Sequence, residues 1–369
     1  MSDEIGIGVI GCGGFGLFAL QQFAQVPGVR LAAMAGTARE ASVAAAQRYG
    51  LDDVVDVDRL LDLPTVDLVY LATPPFLHYE QSKRALRAGK HVICEKPLAL
   101  TVEQADELVE LAREKDLLLV ANLMQRYNPL YDAVGRIIEG QALGEFLHGY
   151  FENYASDENL PPQHWFWDAD KSGGIFLEHG VHFFDMLSGW LGDGEVVAAQ
   201  ASSRSDGCED QVQCTVRYPG GSLFNFYHGF HQPGRLDRQE LRLVFERGDV
   251  LLQGWVPTSI RIHAVADEAQ TRELNELLPG ARIDVLTTCS PRDRAFYSHG
   301  RDHDAYQRFD LYWEDLEKMP LYCELLRRMM SDQVSWIRDR THRRRVDERN
   351  ARDSVAMACA ADALAHLNR

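Results

Sequence analysis

Short apolar runs alternate with stretches of helical period over the first 120 or so residues of the chain. Ile5 to Ile10 is an apolar run that stops at a glycine cluster and reads as a buried strand. Leu17 to Gln25 carries the helical period and ends before Pro27-Gly28. Val29 to Ala35 reads as the next strand and Arg39 to Tyr49 as the next helix. Three further strands are predicted at Asp67 to Ala72, His91 to Cys94 and Leu117 to Ala121. The helices between them run from His78 to Ala88 and from Thr101 to about Lys115, where the Thr101 hydroxyl can satisfy a free amide of the first turn. Strand and helix in strict alternation predict a parallel sheet covered on both faces.

The pattern changes after about residue 145. Phe146 to Tyr154, Val196 to Ser203, Gln211 to Tyr218 and Ser222 to His228 are longer, alternating strands. Pro219-Gly220-Gly221 turns the last two into a hairpin, and Glu240 to Phe245 with Val250 to Trp255 form another around Arg247-Gly248-Asp249. Successive hairpins predict an antiparallel sheet. The expected fold is therefore an α/β domain over 1–122, then an α+β domain with an open, mostly antiparallel sheet over 123–346. An alanine-rich helix from Asp347 to His366, within a closing segment 347–369, packs back on the first domain in this reading. Residues 264–310 are polar with few clear periods and read as an excursion from the sheet.

At 369 residues, two domains are the natural expectation, and 46% hydrophobic with 25% charged residues is a globular balance. The net charge of −17 disfavours nucleic acid and anionic membranes as partners, and the small cluster His342-Arg343-Arg344-Arg345 does not reverse it. The seven cysteines form no CxxC pair, so neither a disulfide framework nor a cysteine zinc site is predicted. The acidic start, Met1-Ser2-Asp3-Glu4, is unlike a signal peptide, and no apolar stretch is long enough to span a bilayer, so a cytoplasmic protein is expected.

Gly11-Cys12-Gly13-Gly14-Phe15-Gly16 satisfies GxGxxG between a strand and a helix. Gly11 permits the tight turn, Gly13 lets a pyrophosphate approach the backbone, and Gly16 allows close helix packing. Gly11, Gly13, Gly14, Phe15 and Gly16 are thus the candidate phosphate loop of a dinucleotide site. The second strand ends in Gly36-Thr37-Ala38-Arg39, without the acid that usually holds an unphosphorylated ribose. A missing carboxylate removes repulsion against a 2′-phosphate, and Gly36, Thr37 and Arg39 can take one, so NADP is favoured over NAD.

Ala72-Thr73-Pro74-Pro75 with His78, then Ala88-Gly89-Lys90-His91-Val92 leading into Glu95-Lys96-Pro97-Leu98, is a distinctive series. Together with the glycine loop it closely resembles the glucose–fructose oxidoreductase and inositol dehydrogenase family, Gfo/Idh/MocA. Arg126-Tyr127-Asn128-Pro129, Leu143-Gly144-Glu145, and Gly173-Gly174 followed by Gly180, His182 and Asp185 extend the likeness over nearly the whole chain. The resemblance implies a Rossmann domain, a second open-sheet domain, and a substrate cleft between them beside the nicotinamide. It implies that Thr73, Pro74, Pro75, His78, Glu95 and Lys96 border the cofactor, and that Lys96 and His182 are catalytic. Members often carry an aspartate four residues before that histidine, where this chain has Glu178. A homodimer or homotetramer paired through the open sheet is also implied.

Hydride transfer from an alcohol carbon requires a base for the hydroxyl proton, and histidine is the usual choice. Glu178 precedes His182 by four residues, which on an α-helix places both on one face. Glu178 then orients the imidazole or contacts a substrate hydroxyl, while Lys96 stabilises developing negative charge or joins the proton relay. Glu178, His179 and His182, with His164 or Asp185, do not have the spacing of a helical metal motif, and no metal is expected. Trp165 and Trp167 sit in an aromatic loop suited to stacking on a sugar ring or to plain packing. Arg126 and Tyr127 are candidate substrate contacts after the fifth strand, with His179 a further one. The expected activity is NAD(P)-dependent oxidation or reduction at a hydroxyl-bearing or carbonyl carbon of a sugar, cyclitol or related polyol. The alternatives are a dinucleotide-binding sensor without turnover, and an enzyme with tightly held cofactor doing redox-assisted sugar chemistry.

Overall fold

The computed structural model describes residues 4–36, 39–51, 54–204, 206–314 and 316–367. Contacts divide the chain into two units: Met1–Tyr127 with Pro162–Asp185 and Tyr322–Asp362, and Asn128–Pro161 with Met186–Leu321 and Ala363–Arg369.

In the first unit, β1 (Ile5–Ile10) is buried at every position. It lies inside a parallel five-stranded sheet with β2 (Val29–Ala35), β3 (Leu68–Leu71), β4 (His91–Cys94) and β5 (Leu119–Ala121), in the order β2-β1-β3-β4-β5. Continuous apolar strands of this kind are what a sheet covered on both faces demands. Helices α1 (Gly14–Phe23), α2 (Arg39–Arg48), α3 (Val57–Asp62), α4 (His78–Arg87) and α5 (Val102–Glu114) connect them. Thr101 caps α5 by accepting from the Gln104 amide, and Asp56 caps α3 by accepting from the Arg59 amide.

The second unit starts with α6 (Pro129–Glu139), which buries Leu130, Ala133, Val134 and Ile137. Its sheet uses β6 (Phe146–Ser156), β7 (Glu195–Ser203), β8 (Glu209–Arg217), β9 (Leu223–Gln232), β10 (Arg238–Phe245), β11 (Gly248–Gln253) and β12 (Ser259–Ala266). Two later strands, β13 (Arg282–Thr288) and β16 (Gln307–Trp313), complete nine in the order β13-β16-β12-β11-β10-β6-β9-β8-β7. Only the β6–β9 pair within it is parallel; the other pairings are antiparallel. One face buries Phe151, Val212, Cys214, Val216, Phe224 and Phe226, and the other carries Tyr150, Glu152, Tyr154, Gln213, Thr215 and Asn225.

The expectation of an excursion over 264–310 is corrected here. That segment supplies α9 (Glu268–Leu277) and two strands of the main sheet, and only the hairpin β14 (Ala295–Ser298) with β15 (Arg301–Asp304) leaves it. The periodicity is hidden because β13 is a largely exposed strand whose polar residues need no partner layer.

Two short turns follow in residues 162–180: α7 (Ala169–Ser172), then a π-turn at Phe176–Gly180 that runs into α8 (Val181–Leu191). Helices α10 (Lys318–Arg338) and α11 (Glu348–His366) close the chain. Within the first unit, Arg338 donates to the Gly28 carbonyl at 3.0 Å and Arg352 pairs with Asp106 at 2.7 Å. All seven cysteines are free thiols, and no helix among the described residues is long and apolar enough to cross a membrane.

Candidate active site

The parallel register sets the site. Ile10 pairs with Leu71, Leu71 with Cys94 and Cys94 with Ala121, so the loops that follow β1, β3, β4 and β5 leave the sheet at one level. The order reverses between β1 and β3, the position at which open parallel sheets bind ligands beyond their carboxyl ends.

The glycine loop leaves β1 at that switch point. Gly11 has φ of 105°, and a Cβ there would come within 2.5 Å of the Ala72 carbonyl oxygen. A Cβ at Gly16 would run into the Gly11 carbonyl oxygen. Gly13 and Gly14 differ: a Cβ on either meets nothing within 4 Å. Their hydrogens border open space, and no side chain caps the first turn of α1. The loop therefore fits a pyrophosphate held on backbone amides. Phe15 places its ring against Phe18 and Tyr322, both at 6.1 Å.

Beside the loop is a cleft of ≈ 370 Å³, bordered among others by Gly36, Val55, Asp56, Thr73, Pro74 and Leu77. A Cβ at Gly36 would strike the Ser42 hydroxyl. Thr37 and the Arg39 side chain lie outside the described residues. Thr73 donates its hydroxyl to Gln81 at 2.6 Å, and Pro75 is buried at the start of a short turn.

His78 is buried under this cleft, with Nδ1 2.7 Å from the Pro97 carbonyl oxygen and Nε2 2.7 Å from that of Thr73. It thereby ties the loop after β3 to the loop after β4. Glu95 points inward as well. Its carboxylate accepts from the Tyr70 hydroxyl, in a very short bond, and from Asn122 Nδ2 at 2.8 Å. Burial raises the Glu95 carboxyl above its ordinary range, and these donors with Lys96 oppose the rise. Tyr70 and Asn122 were not singled out by sequence reasoning; a tyrosine inside an otherwise aliphatic strand was the available signal.

Lys96 meets the π-turn. Its ammonium donates to Glu178 Oε1 at 2.6 Å and to the Glu178 carbonyl oxygen at 2.7 Å. Glu178 thus faces Lys96, and the turn containing it is π rather than α, so the four-residue spacing to His182 does not follow the α-helical period. His182 is 3% exposed. Burial holds its imidazole well below the ordinary histidine range, and the Lys96 cation pushes the same way. Both influences favour the neutral imidazole.

The remaining candidates lie in the same unit. Arg126 Nε donates to Asp185 Oδ2 at 2.8 Å, and its terminal nitrogen donates to the Asp185 carbonyl oxygen at 2.8 Å. Burial pushes the Asp185 carboxyl up to about 6 even with Arg126 opposing. Tyr127 is buried, its hydroxyl donating to Asp332 at 2.6 Å, and burial raises that phenol well above its usual range. His179 is buried with its ring 5.4 Å from Phe183. Trp165 and Trp167 are half-buried; the His164 ring lies tilted 5.0 Å from Trp165, and Phe166 sits edge-on to Trp167 at 4.8 Å.

Residues 5–123 match the family described as "Oxidoreductase family, NAD-binding Rossmann fold", and residues 131–251 match the "GFO/IDH/MocA C-terminal domain". The 1,5-anhydro-D-fructose reductase of Ensifer adhaerens is 36% identical over 217 residues, covering 55% of this chain and 62% of that protein. A dTDP-3,4-didehydro-2,6-dideoxy-alpha-D-glucose 3-reductase of Streptomyces violaceoruber is 35% identical over 190 residues, 50% of this chain and 54% of the relative. The likeness thus spans between half and two thirds of these relatives. A levoglucosan dehydrogenase solved with NADH and levoglucosan shares the fold across 98% of this chain and 97% of its own, with TM-score 0.78 at 20% identity.

Proposed function

This chain belongs to the Gfo/Idh/MocA oxidoreductase family, and from that premise we propose that it is an NAD(P)-dependent oxidoreductase acting on a sugar, cyclitol or related small polyol. The observation that carries the reading is an open glycine cradle after β1 of a parallel sheet whose β4 leads into Lys96, a lysine held by Glu178 next to the buried His182. The names of the two relatives, both sugar reductases, support the substrate class.

A dinucleotide held by its pyrophosphate on the glycine loop would supply, through its nicotinamide, the hydride acceptor or donor. In the direction of oxidation, a carbinol C–H bond and its O–H bond break while the carbonyl forms. His182 takes the hydroxyl proton, and the Lys96 ammonium stabilises charge developing on that oxygen. Glu178 fixes Lys96 and keeps a second carboxylate oxygen that can accept from a neighbouring substrate hydroxyl. Trp165 and Trp167 offer ring faces to a sugar and His179 is a further candidate contact, while Arg126 and Tyr127 are held by Asp185 and Asp332. Among the dinucleotides we favour NADP over NAD, because the second strand ends at Gly36 with no acid directly after it. The polar outer face of the second unit's sheet suits pairing with another copy, as a homodimer or homotetramer.

The test is a fluorescence titration with NADPH and NADH, followed by a panel of sugars and inositols. Binding with turnover on a panel member supports the reading. Binding without any turnover favours a sensor, unless cofactor already copurifies with the protein. Absence of binding removes the dinucleotide assignment.

A further inference from the structure

The basic cluster His342-Arg343-Arg344-Arg345 lies in the loop between α10 and α11, and two of its members turn back onto α10. The loop closes on Asp332, whose side chain is 12% exposed. Asp332 Oδ2 accepts from the Tyr127 hydroxyl at 2.6 Å and from the Arg345 amide at 2.9 Å, and Oδ1 lies 2.7 Å from His342 Nε2. The neighbouring Gln333 donates through Nε2 to the Tyr127 hydroxyl at 3.2 Å and to the Val346 carbonyl at 3.0 Å. One carboxylate thus joins α10, the loop and the short turn Met124–Tyr127 that follows β5. Its acceptor capacity of about four bonds is largely used, and without it these donors lose their partner.

From the loop the tie continues toward His182. Arg345 Nη1 donates to the Arg126 carbonyl at 2.7 Å, so the loop holds the backbone of that residue next to the anchored Tyr127. The Arg126 side chain in turn grips Asp185 twice, at its carboxylate and at its carbonyl oxygen, both at 2.8 Å. Asp185 follows His182 by three residues on α8, about one helical turn. The Arg126–Asp185 pair is buried, so Arg126 cannot shift without leaving a buried carboxylate uncompensated, which is strongly unfavourable. Arg126 is therefore fixed from two sides, by the loop through its backbone and by α8 through its guanidinium.

We infer that Asp332 is a positioning residue for the proposed oxidoreduction: it sets the turn 124–127, and with it the Arg126 clamp on the helix that carries His182. This rests on the functional reading above. It also gives part of the basic cluster an internal task, since His342 and Arg345 are the loop's holds on Asp332 and Arg126.

The test measures kcat, KM and dinucleotide affinity of the intact protein on the panel substrate that it turns over. Asp332→Ala is expected to lower kcat about tenfold with KM and dinucleotide affinity within about twofold, because a misplaced reacting group acts on the chemical step. Asp332→Asn can offer its carbonyl oxygen to Tyr127 and Arg345 and its amide to His342, so kcat should return to within about twofold of the wild type. A route through Arg126 also means that the losses do not multiply: in an Arg126→Gln background, Asp332→Ala should cost less than about twofold more. Arg345→Ala keeps the backbone bond to Asp332 and cuts only the link to the Arg126 carbonyl. It takes the place of Asp332→Ala if that variant does not fold, with the same loss and the same non-additivity expected. An unchanged kcat, losses that multiply in the double variant, or no rescue by asparagine each overturn the inference while the functional reading stands. A wild type that turns over no sugar or inositol removes the functional reading and this inference with it.

Discussion

Residue 178 holds the Lys96 ammonium twice, through its carboxylate at 2.6 Å and through its own carbonyl oxygen at 2.7 Å. The residue sits in the π-turn and presents both acceptors to the same cation. Under the proposed function, the position of Lys96 and the charge it sets beside His182 both depend on this one side chain.

Replacing the proposed relay groups should separate chemistry from binding. Lys96→Ala and His182→Ala are each expected to lower turnover by about 10²- to 10⁴-fold while dinucleotide titrations stay near the wild type. Loss of binding in step with turnover would instead make them parts of the cofactor cradle.

The charge coupling predicts opposite pH effects. Lys96→Gln removes the cation beside His182, so the acidic limb of residual kcat/KM should move up by about one pH unit. Glu178→Gln leaves that cation uncompensated, so the limb should move down. Glu178→Asp keeps the charge and should mainly alter KM, through the shorter reach. Limbs that move together, or not at all, would show that Glu178 acts only in packing.

The glycines of the loop should fail in different ways. Gly11→Ala must hold a positive φ and crowd Ala72, which costs about 1–3 kcal/mol of stability, read as a lower melting temperature. Gly13→Val meets no protein atom within 4 Å of its Cβ and should cost only about 1 kcal/mol as a poorer cap of α1, yet lose most nucleotide affinity because the side chain fills the cradle. Unimpaired binding in folded Gly13→Val would move the phosphate elsewhere.

His91 makes stability depend on pH. Its Nδ1 accepts from the Leu118 amide at 2.9 Å, and burial holds its imidazole down at about 4. The unfolded imidazole takes its proton near pH 6.5, so the unfolded state binds more protons between about 6.5 and 4. Its contribution is present above that window and is lost as pH falls through it, by about 2 kcal/mol after allowing for partial exposure. Melting curves of His91→Gln across this range should fall less steeply with acid than those of the wild type. Parallel curves would exclude His91 as a source of acid sensitivity.

Much of this protein is written locally. The first five strands are legible because a strand buried on both faces must be continuously apolar, as Ile5–Ile10 and Leu68–Leu71 are. The glycine loop is legible because only glycine accepts the φ at Gly11 and the closeness at Gly16. The motif residues Lys96 and His182 could be singled out by resemblance, but their partners could not. Four-residue spacing offered Glu178 to His182 or to a substrate hydroxyl; its ion pair with Lys96, from the π-turn, was not legible from a period of 3.6. His78 and Glu95 looked like cleft residues, and only packing showed them turned inward toward Thr73, Pro97, Tyr70 and Asn122. Asp56 lies about twenty residues after the second strand's end, so no local rule connects it with the cleft; one bridge from Met34 to Val54 does. The chain alone determines which segments can be strands, helices and tight turns, since those depend on neighbours in sequence. Which side chain meets which across the site depends on register and long-range pairing, and these exist only once the sheet has formed.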